Sequence, residues 1–256
     1  MREISIKNHL KKMDIKKGDN VLVSSNLLNI LIRKKKYSIK FNPNDIIDDL
    51  ISVIGNTGTI LIPTYNWDFC KGFGFDYKKT LSKSGSLGNY ALKRDDFSRT
   101  KNPIYSFAVY GKKRKYLSKL KNKNCFSMNS PFGFLIKNNG KNLFIDIKNI
   151  YYFAFTFLHV VEQVVGVNYR FLKTFTGKYR HCNEKSDNAK FTMYARKLHL
   201  KTRIINPIIK KKLISKNAYR EKKLNNINIK TVKMDLAYKI LKDDIKNECN
   251  FIIYRK

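Results

Sequence analysis

The chain has 256 residues, of which 43% are hydrophobic, so it can bury a sizeable core. No stretch approaches the roughly 18 uncharged apolar residues that a membrane-spanning helix requires. The opening residues, MREISIKNHLKKM, also lack the apolar centre of a signal peptide. These exclusions predict a folded protein of the cytoplasm.

Positive charge dominates the composition. There are 53 Lys and Arg residues against 19 Asp and Glu, for a formal net charge of +34. Such a field attracts nucleic acid, anionic membranes and polyphosphorylated small molecules alike. The chain shows no RNP, KH, homeodomain or zinc-finger pattern, and its four cysteines form no CxxC motif, so no metal site is expected. Because the chain is also rich in Asn and Ile, a bias from AT-rich coding explains the charge equally well.

Strand and helix patterns alternate at the start of the chain. NVLVS (20–24) indicates a short buried strand, and NDIIDDLISVI (44–54) has apolar residues at helical spacing behind an Asn cap. GNTGTILIPTY (55–65) then gives a Gly-rich turn and a second strand that ends at Pro63. The order strand, helix, strand predicts a parallel βαβ unit of an α/β fold.

The ligand site of such a sheet lies beyond the carboxyl ends of its strands. Ser24, Ser25 and Asn26 follow the first strand, and Tyr65 and Asn66 follow the second. We therefore expect these five side chains at the mouth of a binding site.

Residues 66–102 form a long polar and aromatic connection with little periodicity, which in a compact domain is usually functional. Later apolar patterns predict strands at 103–111, 141–147 and 251–255, and helices at 156–165 and 231–242. The region from 203 onward is otherwise rich in Lys and Asn. With no internal repeat and no clear linker, we expect a single domain, 1–256.

Two polar residues interrupt the apolar run FTFLHVVEQVVGVNYR (155–170). On a helix, His159 and Glu162 lie on one face, about 60° apart. A carboxylate there can accept the proton of one imidazole nitrogen and leave the other nitrogen as a general base. On this pair alone, a structural histidine beside a solvated Glu is the favoured interpretation.

Other catalytic classes lack their motifs. No GxSxG elbow surrounds any of the available serines, which include Ser24, Ser25, Ser84, Ser86 and Ser106. GxxxxGK[ST] is absent, as is GxGxxG after a strand. The sequence thus gives no support to a serine hydrolase or to ATP or NAD chemistry.

Five stretches, taken together, resemble the aminoglycoside 3-N-acetyltransferase family and its sugar-modifying relatives. They occur in the family's order between residues 18 and 177. The stretches are GDNVLVSSNLL, GTILIPTYNW, SKSGSLGNYALKRDDFSRTKNPIYSFAVYGK, SPFGFLIKNNGKNLFIDI and FTFLHVVEQVVGVNYRFLKTFTG.

The resemblance implies the family's own α/β fold, a central mixed sheet with flanking helices, distinct from the GNAT acetyltransferase fold. It also implies acetyl-CoA as the donor and an amine on a sugar as the acceptor, without a metal. The family's Thr-x-x-His-x-x-Glu motif corresponds to Thr156, His159 and Glu162, which makes His159 the base and Glu162 its partner. Acetyl transfer would then be direct, without an acyl-enzyme.

The same resemblance suggests further contacts. Residues implied near coenzyme A are Ser24, Ser25, Asn26, Arg99, Thr100, Asn102 and Ser106. Residues implied near the acceptor are Tyr65, Asn66 and Asn89. In both coenzyme segments a His of the family pattern is missing here, Asn89 stands where relatives often have Glu, and the acidic residue often found before Thr156 is replaced by YYFAF.

These departures matter because a polycationic aminoglycoside needs acidic groups around it. A nucleotide-linked amino sugar is anionic and suits a basic enzyme better. We therefore predict an enzyme that acetylates such a sugar for surface polysaccharide biosynthesis. Two alternatives stay open: an aminoglycoside 3-N-acetyltransferase that confers antibiotic resistance, and a basic nucleic-acid-binding protein without enzymatic activity. The sequence leaves the oligomeric state open, a homo-oligomer included.

Overall fold

A computed structural model describes residues 5–36, 38, 40–150, 155–182, 185–204, 206–224, 226–247 and 252–255. The strands are β1 (Asn20–Ser25), β2 (Thr59–Pro63), β3 (Phe75–Asp76), β4 (Ser98–Arg99), β5 (Phe107–Gly111), β6 (Lys141–Ile145), β7 (Arg170–Arg180), β8 (Asp187–Arg196), β9 (Lys201–Ile204), β10 (Tyr219–Leu224), β11 (Ile227–Lys233) and β12 (Ile252–Arg255). The helices are α1 (Lys7–Lys12), α2 (Leu27–Lys36), α3 (Pro43–Ile54), α4 (Ser86–Ala91), α5 (Arg114–Lys119), α6 (Pro131–Lys137), α7 (Leu158–Val165), α8 (Asn206–Ser215) and α9 (Met234–Lys246), with a 3-10 turn at Asp68–Lys71.

The central sheet has seven strands in the order β10-β11-β6-β1-β2-β5-β4. Strand β1 lies in the middle, parallel to both β2 and β6, whereas β5 and β11 join antiparallel on either side. The predicted α/β class and mixed sheet are confirmed. The parallel strands β1 and β2 are joined through α2, which the sequence analysis omitted, and through the predicted α3.

Strand β1 is buried on both faces, as expected for a parallel strand covered by helices. Its residues alternate between two apolar clusters: Leu22 belongs to one, and Val21 and Val23 belong to the other. The first cluster also contains most of the aromatic side chains and extends to α7. One cluster therefore supports the region in which the His–Glu pair was predicted.

Helix α3 shows how local sequence sets its own limits. The Asn42 side chain accepts a hydrogen bond from the backbone N–H of Asn44 at 3.0 Å, and Pro43 occupies the first turn, where no backbone donor is needed. Gly55, with φ of 68°, ends the helix. Its buried face packs on the second cluster.

The prediction for the region from 203 onward was incomplete. Besides the predicted helix, observed as α9, this region contains α8 and the antiparallel strands β10 and β11, and β11 pairs with β6 inside the central sheet. Lys230 explains the omission: it is a buried residue of β11 whose ammonium donates to the carbonyl of Ile147 at 2.7 Å. A lysine at an interior position hides the alternation that marks a strand.

A second omission is the hairpin of β7 and β8. The two strands pair antiparallel over ten positions, from Arg170 opposite Arg196 to Tyr179 opposite Asp187. Most of β7 is exposed, so its sequence lacks the buried alternation of a core strand. Among the helices that the structure describes, none is long and apolar enough to cross a membrane.

Candidate active site

A cavity of about 1310 Å³ opens beyond the carboxyl ends of β1, β2 and β6. Ser24, Ser25, Asn26 and Tyr65 line it, as the position of a βαβ ligand site predicted. Further parts of its wall come from residues 83–88, from residues 147–149 and 155–159, and from the open end of the β7–β8 hairpin. Segments distant in the sequence therefore meet around one space.

His159 lies at the cavity wall, in the first turn of α7. Its Nδ1 is 2.6 Å from Oε2 of Glu162, so the two residues share one helix face as their spacing indicated. The Phe126 ring contacts the imidazole edge-to-face at 5.1 Å between centroids. The imidazole is thus fixed in orientation, with 24% of the side chain still exposed.

Glu162 is almost fully buried, and three groups surround its carboxylate. Beside His159, Arg170 places Nε 2.7 Å from Oε2, and the Tyr169 hydroxyl donates to Oε1 at 3.1 Å. Arg170 is itself held because its Nη1 donates to the Tyr194 carbonyl at 3.1 Å. The expected solvated Glu of the structural alternative is therefore wrong, since this carboxylate is enclosed and fully engaged.

These contacts define the protonation states of the pair. Burial lowers the pKa of His159, the Glu162 charge opposes that effect, and the Arg170 charge reinforces it, with a lowered pKa as the result. Burial alone would raise the pKa of Glu162, but His159, Arg170 and Tyr169 outweigh it and hold that pKa below its ordinary value. The positive N-terminus of α7 also disfavours an imidazolium. The pair therefore consists of a neutral imidazole and an ionised carboxylate.

Thr156 and Tyr65 meet across the cavity wall. Both residues line the cavity, and the Thr156 side chain acts to lower the pKa of Tyr65. Burial, assisted by the neighbouring Tyr105, raises the pKa of Tyr65 well above its ordinary value. Tyr65 therefore stays a neutral phenol, able to donate or accept a hydrogen bond beside the His159 segment.

Aromatic rings form another part of the wall. Trp67 lies 6.3 Å from Tyr65 and 6.3 Å from Tyr105 between ring centroids, and Tyr65 lies 4.7 Å from Tyr105. Trp67 is 39% exposed while the two tyrosines behind it are buried. A rigid, partly open indole of this kind can stack on the apolar face of a sugar or base.

The charged residues that line the cavity are all basic. They are Lys83, Lys148, Arg170 and Arg196, and no Asp or Glu stands among the described lining residues. Lys83 is paired with Asp68 at 2.5 Å, and Arg170 is paired with Glu162. Lys148 and Arg196 form no ion pair with any residue that the structure describes.

The four expected coenzyme residues on β4 and near β5 lie away from the cavity lining. Arg99 is buried, and its guanidinium donates to Oγ of Ser106 at 3.1 Å and to the carbonyls of Thr64 and Thr80 at 3.1 and 2.6 Å. Burial lowers the pKa of Arg99 to about 10. Its donors are therefore used to hold the loop after β3 against the end of β2.

Thr100 and Asn102 also serve the fold. The Thr100 hydroxyl accepts from the backbone N–H of Phe107 at 2.9 Å, and Asn102 Oδ1 accepts from the N–H groups of Ile104 and Tyr105 at 3.1 and 3.0 Å. Both residues are fully buried. A contact of Arg99, Thr100, Asn102 or Ser106 with coenzyme A stays a prediction, without support from their position.

Two expected acceptor residues brace the connection beside the cavity and do not line it. Asn66 donates to the Leu81 carbonyl at 2.9 Å and accepts from the Asp68 N–H at 2.9 Å. Asn89 accepts from the N–H of Ser82 at 2.7 Å and donates to its carbonyl at 3.2 Å. Sequence reasoning missed Trp67 as a wall residue and Arg170 and Arg196 as cavity cations.

The fold and the site together define an α/β protein that presents a neutral histidine, backed by a buried carboxylate, to a large basic cavity. The model of the aminoglycoside 3-N-acetyltransferase family matches residues 34–245, and the chain belongs to this family. This confirms the resemblance and establishes the class of enzyme, an acetyl-CoA-dependent N-acetyltransferase. Acetyl-CoA as co-substrate is confirmed with it, and a nucleic-acid-binding protein without activity is set aside.

Solved structures share the fold over nearly the whole chain. The aminoglycoside acetyltransferase AAC(3)-Xa superposes with a TM-score of 0.77 at 17% identity, covering 96% of this chain and 93% of its own. The YokD protein from Bacillus subtilis superposes with a TM-score of 0.76 at 18% identity, covering 95% of this chain and 93% of its own. AAC-IIIb in a binary complex with CoASH gives 0.74 at 14% identity, with 95% of each chain covered. Among curated proteins no significant match is found.

Proposed function

We propose that this enzyme transfers the acetyl group of acetyl-CoA to the amine of an amino sugar, with His159 as the general base. The observation that carries the proposal is the contact of His159 Nδ1 with Glu162 at the wall of the cavity. Glu162 accepts a hydrogen bond from Nδ1–H, so Nε2 is the basic nitrogen.

The chemistry requires a base because an ammonium group has no lone pair. Nε2 of His159 takes a proton from the acceptor amine, whose nitrogen then attacks the thioester carbonyl. The C–S bond breaks as the tetrahedral intermediate collapses, and the coenzyme A thiolate takes up the proton that the imidazolium releases. The remaining surplus proton on the attacking nitrogen is lost to solvent as the amide forms. Glu162 stabilises that imidazolium while it exists, and no acyl-enzyme forms.

Binding of the two substrates follows from the residues of the wall. Hydroxyl and amide groups of Ser24, Ser25 and Asn26 suit the amides of the pantetheine arm. Thr156 and Tyr65 form the polar edge next to the base, and we assign them to positioning the acceptor. Trp67 offers the stacking surface.

The charge of the wall favours an anionic acceptor. A polycationic aminoglycoside would meet basic residues and no carboxylate among the described lining residues. A nucleotide-linked amino sugar would find favourable partners there, and the formal net charge of +34 would accelerate its encounter with the enzyme. We therefore propose such a sugar as the acceptor, in the biosynthesis of a surface glycan.

An acceptor screen that measures release of free coenzyme A tests this function. UDP- and dTDP-linked amino sugars are compared with kanamycin-type aminoglycosides at equal concentration. We expect turnover with the nucleotide-linked sugars, and a clear preference for the aminoglycosides would reject the proposed acceptor.

A second experiment tests the base. His159→Ala should abolish transfer while coenzyme A binding by titration calorimetry stays close to wild type. His199→Ala, which removes an exposed histidine outside the described cavity lining, is the matched control. Turnover of His159→Ala near the wild-type rate would refute the assignment.

A further inference from the structure

Two arginines face each other across the β7–β8 hairpin at the cavity. Arg170 and Arg196 are partners in the strand register, and both line the cavity. Like charges directly opposite each other on two strands destabilise the pairing. A sheet that keeps such a pair at a cavity wall needs negative charge near it.

Only one of the two is neutralised within the described structure. Arg170 forms its ion pair with Glu162 and donates Nη1 to the Tyr194 carbonyl. Arg196 is exposed, and its side chain has no ion-pair partner among the described residues. A ligand can therefore supply the negative charge that Arg196 lacks.

The position of Arg196 decides which ligand could supply it. Glu162 contacts both His159, at 2.6 Å, and Arg170, at 2.7 Å, and Arg196 stands on the neighbouring strand, about 5 Å from Arg170 between Cα atoms. An anion bound there lies within one side chain's reach of the base. The phosphates of acetyl-CoA are separated from its thioester by the whole pantetheine arm, so they do not fit beside the reacting carbonyl.

We propose that Arg196, supported by Arg170, forms an oxyanion subsite that binds a phosphate carried by the acceptor close to the amine that is acetylated. This inference rests on the proposed function and sharpens it, because it requires the amine and the phosphate to be carried by the same sugar unit. The planar guanidinium binds two phosphate oxygens at once, which a lysine does not reproduce.

The test compares paired acceptors. Amino hexoses with the amine at carbon 2, 3 or 4 are assayed as 1-phosphates and as methyl glycosides, with wild type, Arg196→Gln and Arg196→Lys. Lys190→Gln is the matched control, since it removes an equal charge from an exposed position of the same strand outside the cavity lining.

We expect wild type to prefer the 1-phosphates and Arg196→Gln to lower kcat/KM for them by about tenfold through KM. In Arg196→Gln the kcat/KM for the methyl glycosides and the KM for acetyl-CoA should not change. Arg196→Lys should recover part of the kcat/KM lost on the 1-phosphates. An equal loss on both forms of acceptor would overturn the subsite, as would a raised KM for acetyl-CoA, which would assign the cation to the coenzyme.

A binding measurement separates this inference from the proposed function. Inorganic pyrophosphate is titrated into each full-length variant saturated with coenzyme A. If no amino sugar is acetylated but wild type and Lys190→Gln bind pyrophosphate and Arg196→Gln does not, the subsite stands and the proposed function fails. Equal binding by all three variants overturns the subsite whatever the turnover.

Discussion

Replacing Arg170 by Gln removes the positive charge beside the proposed catalytic pair, His159 and Glu162. Arg170 Nε and His159 Nδ1 each contact Oε2 of Glu162, at 2.7 and 2.6 Å. The two cationic groups are thus at most about 5 Å apart, and at an effective dielectric constant of about 20 their repulsion is about 3 kcal/mol. That repulsion lowers the pKa of His159, so its removal raises it.

Solvent at the partly exposed imidazole weakens this repulsion, but its removal still raises the pKa of His159. A general base works in its neutral form, above its pKa. The acidic limb of the kcat/KM profile should therefore move to higher pH in Arg170→Gln, and the rate should fall most below neutrality.

The assay is coenzyme A release across pH with a fixed acceptor, after circular dichroism has shown that each variant is folded. Arg170→Lys keeps the charge and should keep the limb near its wild-type position. Arg180→Gln is the matched control at the far end of β7, where Arg180 lies near Asp76. An unmoved limb in Arg170→Gln, or an equal shift in Arg180→Gln, would refute the electrostatic role of Arg170.

Three further substitutions probe the site and its support. Glu162→Gln should lower kcat by about a hundredfold or more. The lowered pKa of Glu162 stabilises the fold at pH values above the ordinary pKa of a glutamate, and this stabilisation is lost as the pH falls. Urea titrations should therefore show that the variant loses less stability than wild type on acidification. Trp67→Ala should raise the KM for the acceptor and leave the KM for acetyl-CoA unchanged. Trp67→Phe, which keeps an aromatic ring, should have an acceptor KM close to that of wild type. Gly88→Ala places a Cβ 2.3 Å from the Pro63 carbonyl and should lower the melting temperature, whereas Gly74→Ala, with its nearest contact at 3.6 Å, should not.

Local sequence was sufficient for the frame of the cavity. The short apolar runs of β1 and β2 and the capped helix before β2 are short-range signals, and parallel strands joined by a helix bring their carboxyl ends to one edge. The positions of Ser24, Ser25 and Tyr65 at the mouth could therefore be predicted from these signals, and all three residues line the cavity.

The partners of His159 and Glu162 could not be predicted in the same way. Spacing on one helix relates His159 to Glu162, but α7 ends at Gly166, whose φ of 77° reverses the chain before β7 begins. Tyr169 and Arg170 return to Glu162 only through that turn, which no periodicity encodes. A glycine stop followed by a polar Tyr-Arg pair is the one local signal.

Arg99 shows the opposite error. Its residue type suggests that it binds a ligand, but groups of the protein already accept its hydrogen bonds. An arginine with nearby hydroxyl residues is typical of phosphate recognition. In this chain the guanidinium stacks over Phe75 at 4.6 Å and gives its protons to neighbouring loops. Burial cannot be seen in sequence, so a structural arginine and a phosphate-binding one have the same signature.

The open end of the β7–β8 hairpin lies at the cavity, and its other end lies outside the cavity lining. Arg170 and Arg196 lie at the open end. The ten paired positions of β7 and β8, together with the pairing of Phe75 with Tyr179, fix the alignment of the two strands. A slip of one residue would turn the arginines to the other face and separate Arg170 from Glu162. For protein engineering this makes Lys178 and Asn188, an exposed register pair remote from the cavity, suitable positions for a fluorescent label or an affinity handle that leaves turnover intact.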